Sequence, residues 1–198
     1  CLVKQGDGTL VLPKADFTHT GETNVWGGTL CFDGSMMKSP LWLNRHTHLY
    51  SDKGEFLSIK ADYGAVIEIG KRESNAAASY IGADVLSLGF GSRIVVDLYA
   101  DDLTADKINV NTLKIERKTG TAWTKGGPTY LMPVIEVVGH PIGGQSRMAP
   151  GKYVIGEVGD IEGSVDDIIL EGIATSKKSL YVEDGKLIVE IFSQREPA

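Results

Sequence analysis

The chain has 198 residues, 42% of them hydrophobic and 24 of them glycine, enough for one domain or one elongated body with a core. Its net charge is −6 and its 20 basic residues are scattered without a Lys/Arg run, which argues against a nucleic-acid partner or an anionic membrane surface. No apolar run approaches ~18 residues, so no transmembrane segment is expected, and two cysteines make no disulfide framework.

In chain order, Cys1-Leu2-Val3 opens almost inside a repeat, which suggests a mature or excised fragment. A lipid-bearing cysteine would instead be followed by a polar tether, and a Cys1–Cys31 bridge is open on sequence alone. Gly8-Thr9-Leu10-Val11-Leu12 and Gly28-Thr29-Leu30-Cys31-Phe32 then repeat a Gly-Thr-Leu strand signal, with a polar Thr18-His19-Thr20-Gly21 turn between them. A period of about 20 to 25 residues with one strand per copy is what a β-solenoid needs, because no single turn buries its apolar side alone. Period-2 alternation puts Leu10, Leu12, Leu30 and Phe32 inward, and Val11 and Cys31 outward.

Short strands follow at Leu41–Leu43, His48–Tyr50, Phe56–Ile59, Val66–Ile69, Ser79–Ile81, Val85–Leu88 and Arg93–Tyr99, divided by Gly- and Asp-bearing turns. Ser74–Tyr80 is the one helix-like run, too short to stand alone. Beyond it come Ile108–Val110, Leu113–Glu116, Thr129–Val138, Lys152–Val158, Asp167–Leu170, Ser179–Val182 and Leu187–Phe192. Lys118–Gly127 and Gly139–Gly151 read as loops. Glu183-Asp184-Gly185-Lys186 between two apolar runs signals a hairpin, which suits an antiparallel cap.

Residues 6–34, with Gly8-Thr9-Leu10-Val11-Leu12, Phe17-Thr18-His19-Thr20-Gly21-Glu22-Thr23 and Gly27-Gly28-Thr29-Leu30, resemble the autotransporter-associated β-strand repeat. Phe17 stands where that pattern usually has Tyr. More loosely, Ala105–Val110, Gly151–Ile155 and Asp184–Val189 are similar to segments that follow the last repeats of such proteins. The resemblance implies a right-handed parallel β-helix on a secreted or cell-surface bacterial protein, at the cell outer membrane. It implies no catalytic residues.

Several residue groups suggest chemistry, each beside a plainer alternative. Trp26 and Trp42 are candidate sugar-binding aromatics, with Trp123 a third in a predicted loop; packing in a turn or core is the alternative. Asp97, Asp101, Asp102 and Asp106 form an acidic group around a turn, of the oxygen-rich kind that calcium takes, although the EF-hand spacing is missing. Solvated turn carboxylates are the plainer reading there, as for Asp160, Glu162, Asp166 and Asp167. His46 and His48, at i and i+2 on a strand, would face one side and suggest a metal, but no convincing third ligand accompanies them. Asp52, Glu55, Asp62, Glu68, Arg45 and Lys60 could line a lyase-like groove, with no carboxylate pair at a telling separation.

The sequence therefore predicts an all-β chain: a parallel β-helix over 1–105, then a continuing β region and C-terminal cap over 106–198. Its expected role is non-catalytic, a stalk or adhesin-like presentation module. Its expected partners are further turns or a domain of the same parent protein. The alternative is a carbohydrate-binding module accessory to a polysaccharide-degrading enzyme, with polysaccharide as ligand; a lyase or hydrolase in its own right ranks behind both.

Overall fold

The computed structural model describes residues 1–70, 78–116, 122–124, 127–129, 132–145, 147–174 and 176–193. Two parallel sheets face each other and the chain passes from one to the other, so each turn of the coil contributes two strands rather than the single strand expected. The longer sheet runs, in spatial order, β1 (Leu2–Lys4), β3 (Thr23–Val25), β5 (Ser35–Leu43), β7 (Lys53–Ala61), β9 (Tyr80–Leu88), β12 (Lys107–Ile115), β16 (Gly151–Glu162), β19 (Lys186–Ile191) and β18 (Lys178–Glu183). The shorter runs β2 (Thr9–Val11), β4 (Thr29–Cys31), β6 (His48–Ser51), β8 (Val66–Ile69), β10 (Arg93–Tyr99), β15 (Val134–His140) and β17 (Ile169–Gly172), with β11 (Thr104–Ala105) beside β10. This is the all-β parallel β-helix that the repeats predict.

Register explains why the coil holds. In the shorter sheet Leu10, Leu30, Leu49, Ile67, Ile94, Ile135 and Leu170 lie one above the next in seven successive strands. Leu30, Leu49, Ile67, Ile94 and Ile135 are at most 1% exposed. Each such side chain contributes roughly 1.5–3 kcal/mol by burial, and branched residues pack well on the like residue beneath. Facing them from the longer sheet are Leu41, Ile59, Leu86 and Leu113, also in register. Phe17, Phe32 and Phe56 continue the core at the side, with ring centroids 5.3 and 5.5 Å apart. The inward and outward assignment of Leu30, Phe32 and Val11 holds: the first two are 1% exposed and Val11 is 70% exposed.

Turn length changes along the coil. Thr23 pairs with Leu41, Leu41 with Ile59, Ile59 with Leu86, Leu86 with Leu113 and Leu113 with Ile161. The residue numbers give turns of 18, 18, 27, 27 and 48 residues. Among the described residues, the extra length includes β11, which pairs antiparallel with β10. The longest turn carries a separate antiparallel pair, β13 (Ala122–Thr124) and β14 (Gly127–Thr129), so the loop expected over Lys118–Gly127 holds β13 and the first residue of β14; its other residues lie outside those described. The helix-like run Ser74–Tyr80 also lies mostly outside them, and Tyr80 begins a strand.

At the far end the pattern reverses. β19 pairs antiparallel with both β16 and β18, joined to β18 through Asp184 (φ 51°) and Gly185 (φ 72°). Two consecutive positive φ values give the turn that matches strand twist. The reversal closes one end of the longer sheet, as the hairpin signal predicts. Cys1 precedes β1 of the longer sheet, Cys31 ends β4 of the shorter one, and both are free thiols, so the bridge left open by the sequence does not form.

Candidate functional site

The corner leading from the shorter sheet to the longer one stacks polar side chains in successive turns. Asp33 Oδ1 accepts the amide N–H of Asp52 at 2.6 Å. The Asp52 carboxylate accepts the Ser79 hydroxyl. Ser79 N–H donates to Asp106 Oδ1 at 2.8 Å, and Asp97 N–H donates to Asp106 Oδ2 at 3.0 Å. His140 Nε2 lies 3.3 Å from Asp97 Oδ2, and its ring stacks on Tyr99 at 5.0 Å between centroids.

Asp97 and Asp106 are 1% and 0% exposed. Burial pushes the Asp106 carboxyl up to about 6, and Asp97 and Asp52 push the same way, against the pull of the two amide donors. Burial, with Asp106 and Asp97 behind it, also drives the Tyr99 phenol upward. The group is thus a buried polar joint that satisfies backbone donors where the chain turns between sheets.

The four aspartates expected around one turn divide into two pairs. Asp97 and Asp106 meet in the joint, whereas Asp101 and Asp102 are exposed on the turn before β11. Asp102 Oδ1 accepts from Thr104 N–H at 3.1 Å and Thr104 Oγ1 at 2.5 Å, which holds its carboxyl below the usual range. Among the described residues, no group of three or more His, Cys, Asp or Glu is arranged to hold a metal ion.

His46 and His48 do not share a face. His46 sits at the opposite corner with φ 56° and packs edge-on against Tyr63, which packs on Phe90. His48 lies on β6, 3.0 Å from Glu68. His46 takes the left-handed position that Gly64 and Gly91 fill in the next turns.

Trp26 and Trp42 also separate. Trp26, 62% exposed, stands at the corner after β3. Trp42 is half-buried on the outer face of β5, its indole N–H donating to Asp62 Oδ2 at 2.9 Å. Lys60, its register neighbour, holds its ammonium 4.7 Å from the ring centroid. A groove of about 340 Å³ runs from Trp42 past Ser58, Lys60 and Ser87 to Lys114. Trp123 belongs to β13 by its backbone, and its side chain lies outside those described.

The lyase-like set spreads over several features. Asp62 orients Trp42, Glu68 meets His48 on the other sheet, and Asp52 belongs to the corner joint. Glu55 lines a larger groove, about 760 Å³, with Asp84, Asn109, Asn111, Glu157 and Lys186 along the longer sheet.

Sequence reasoning missed the joint and Lys114, and it named Lys60 only as part of the lyase-like set. The joint's one available signal was Asp97, a charge inside the apolar run Ile94-Val95-Val96-Asp97-Leu98-Tyr99, which marks a paired buried group. Lys114 had no signal, since only register brings it to one groove with Lys60.

Residues 2–30 match the family model of the passenger-associated-transport-repeat. The matched stretch covers β1 to most of β4, the first full turn and the start of the next. The match is to a repeat associated with autotransporter passengers, and such a repeat suggests a secreted or surface bacterial protein. None of the curated proteins compared matches the chain. Among the described residues no helix is long and apolar enough to cross a membrane.

Proposed function

We propose that this coil, with a passenger-associated-transport-repeat in its first turns, serves as a rigid structural segment of a surface-exposed passenger, holding its faces and corner loops away from the cell. The observation that carries this reading is the asymmetry of the two ends. One end of the longer sheet is closed by antiparallel β19 and β18. At the other, the edge strands β1 and β2 are parallel to their neighbours and no antiparallel strand covers them, and Leu10, Leu12 and Phe17 are only partly covered. An unpaired edge with half-covered apolar residues suits another turn of the same kind. In this reading the winding is right-handed, the hand that parallel crossovers take. The exposed Asp101 and Asp102 are solvated turn carboxylates, and removal of calcium by a chelator should leave the melting midpoint unchanged.

The test is to fuse one extra turn, copied from residues 14–34, ahead of Cys1. Stability of stacked repeats is close to a sum of nearest-neighbour terms. The fused turn should therefore raise the melting midpoint and resist protease. A fused turn that is digested away with no gain in midpoint refutes the open-edge reading.

A further inference from the structure

We propose that the outer face of the longer sheet around Trp42 binds an extended anionic saccharide. Two outward columns of side chains form the surface. In the first, Pro40, Ser58 and Val85 follow one another in register; in the second, Trp42, Lys60, Ser87 and Lys114 do. Lys60 and Lys114 are two strands apart, about 10 Å at the usual strand spacing, with the Ser87 hydroxyl between them.

Each part has a recognisable partner on a glycan. The apolar surfaces of Trp42, Pro40 and Val85 suit the C–H faces of sugar rings. The serine hydroxyls suit ring hydroxyls, and the two ammonium groups suit carboxylates or sulfates carried on the chain at repeating intervals. The platform is set in advance: Asp62 fixes the indole from one side and Lys60 lies over its ring. Lys114 pairs with Glu162 at 2.9 Å, but the two side chains are 40% and 55% exposed. A pair so exposed is worth ~1 kcal/mol or less, so a ligand anion can replace Glu162. Glu22, at one edge of the groove, keeps the ligand's anionic groups toward the lysines. The larger groove has the opposite character, with Glu55, Asp84, Glu157 and Asp184 against Lys186, and would repel the same ligand.

The inference stands apart from the stalk reading, whose test involves no ligand. Affinity electrophoresis of the full chain in gels holding polygalacturonate, dextran sulfate or neutral dextran tests it. Retardation is expected with an anionic polymer and not with neutral dextran, and it should weaken as salt rises. The gel that responds tells a carboxylated source from a sulfated one. The double variant K60E/K114E changes two solvent-facing side chains and should stay folded, its melting midpoint lowered slightly by Glu162 opposite position 114, while losing about tenfold or more in affinity. Trp42→Ala should lose binding as well. No retardation in either anionic gel, equal retardation by neutral dextran, or unchanged binding by K60E/K114E overturns the proposal.

Discussion

Asp106 makes a sharp prediction about pH. Its carboxyl ordinarily titrates at 3.8 and is pushed up to about 6 in the folded chain, chiefly by burial. The folded state therefore holds this proton more tightly than the unfolded chain does. Stability from this group is fully present below the unfolded value and is lost as pH rises through about 6. Two pKa units at about 1.4 kcal/mol each make the loss about 3 kcal/mol, a large fraction of the 5–15 kcal/mol that holds a typical domain. Urea unfolding of wild type and Asp106→Asn between pH 4 and 8 isolates the effect, since every other titrating group is common to both. The variant loses one amide acceptor, so it should be the weaker at pH 4. Its deficit should shrink by up to about 3 kcal/mol by pH 8, or change sign. Parallel profiles across that window would refute the claim that Asp106 is a buried acid strained by its own charge.

Three further outcomes follow from packing and backbone. Ile67→Ala, at the middle of the shorter sheet's ladder and fully buried, should cost about 2–5 kcal/mol in denaturant unfolding. His46→Gly removes the Tyr63 ring contact but relieves a left-handed residue, so it should be close to neutral, whereas His46→Val should cost more than about 1 kcal/mol. Gly172→Ala should be strongly destabilising by thermal melt, because φ is 84° and a Cβ there would meet the Val137 carbonyl oxygen.

How much of this was legible in the sequence follows from distance along the chain. The Gly-Thr-Leu copies are visible because Leu10 and Leu30 are direct register partners separated by one short turn. The hairpin at Asp184-Gly185 is visible because everything it needs is local. The later turns lose the period when insertions take the spacing from 18 to 27 and then 48 residues, although the inward ladder continues unbroken. The joint of Asp52, Ser79, Asp97, Asp106 and His140 draws on five separated segments. Asp97 and Asp106 read as solvated turn acids because burial of a carboxylate is decided by amide donors that only the folded coil brings near. The two-strand turn was missed for a related reason: the second strand of each turn is short or merged, as when Ser79–Ile81 and Val85–Leu88 prove to be one strand, Tyr80–Leu88.

The closed end and the open end also give the coil a mechanical polarity. Backbone hydrogen bonds between strands run along the coil axis, so axial tension loads them end to end and peels the coil one turn at a time. The antiparallel clasp of β16, β19 and β18 ties the last turn to strands from further along the chain, so yielding starts at β1 and β2. Each 18-residue turn that lets go releases about 60 Å of slack. Pulled from its two ends, such a coil would lengthen in steps while its clasped end stays folded.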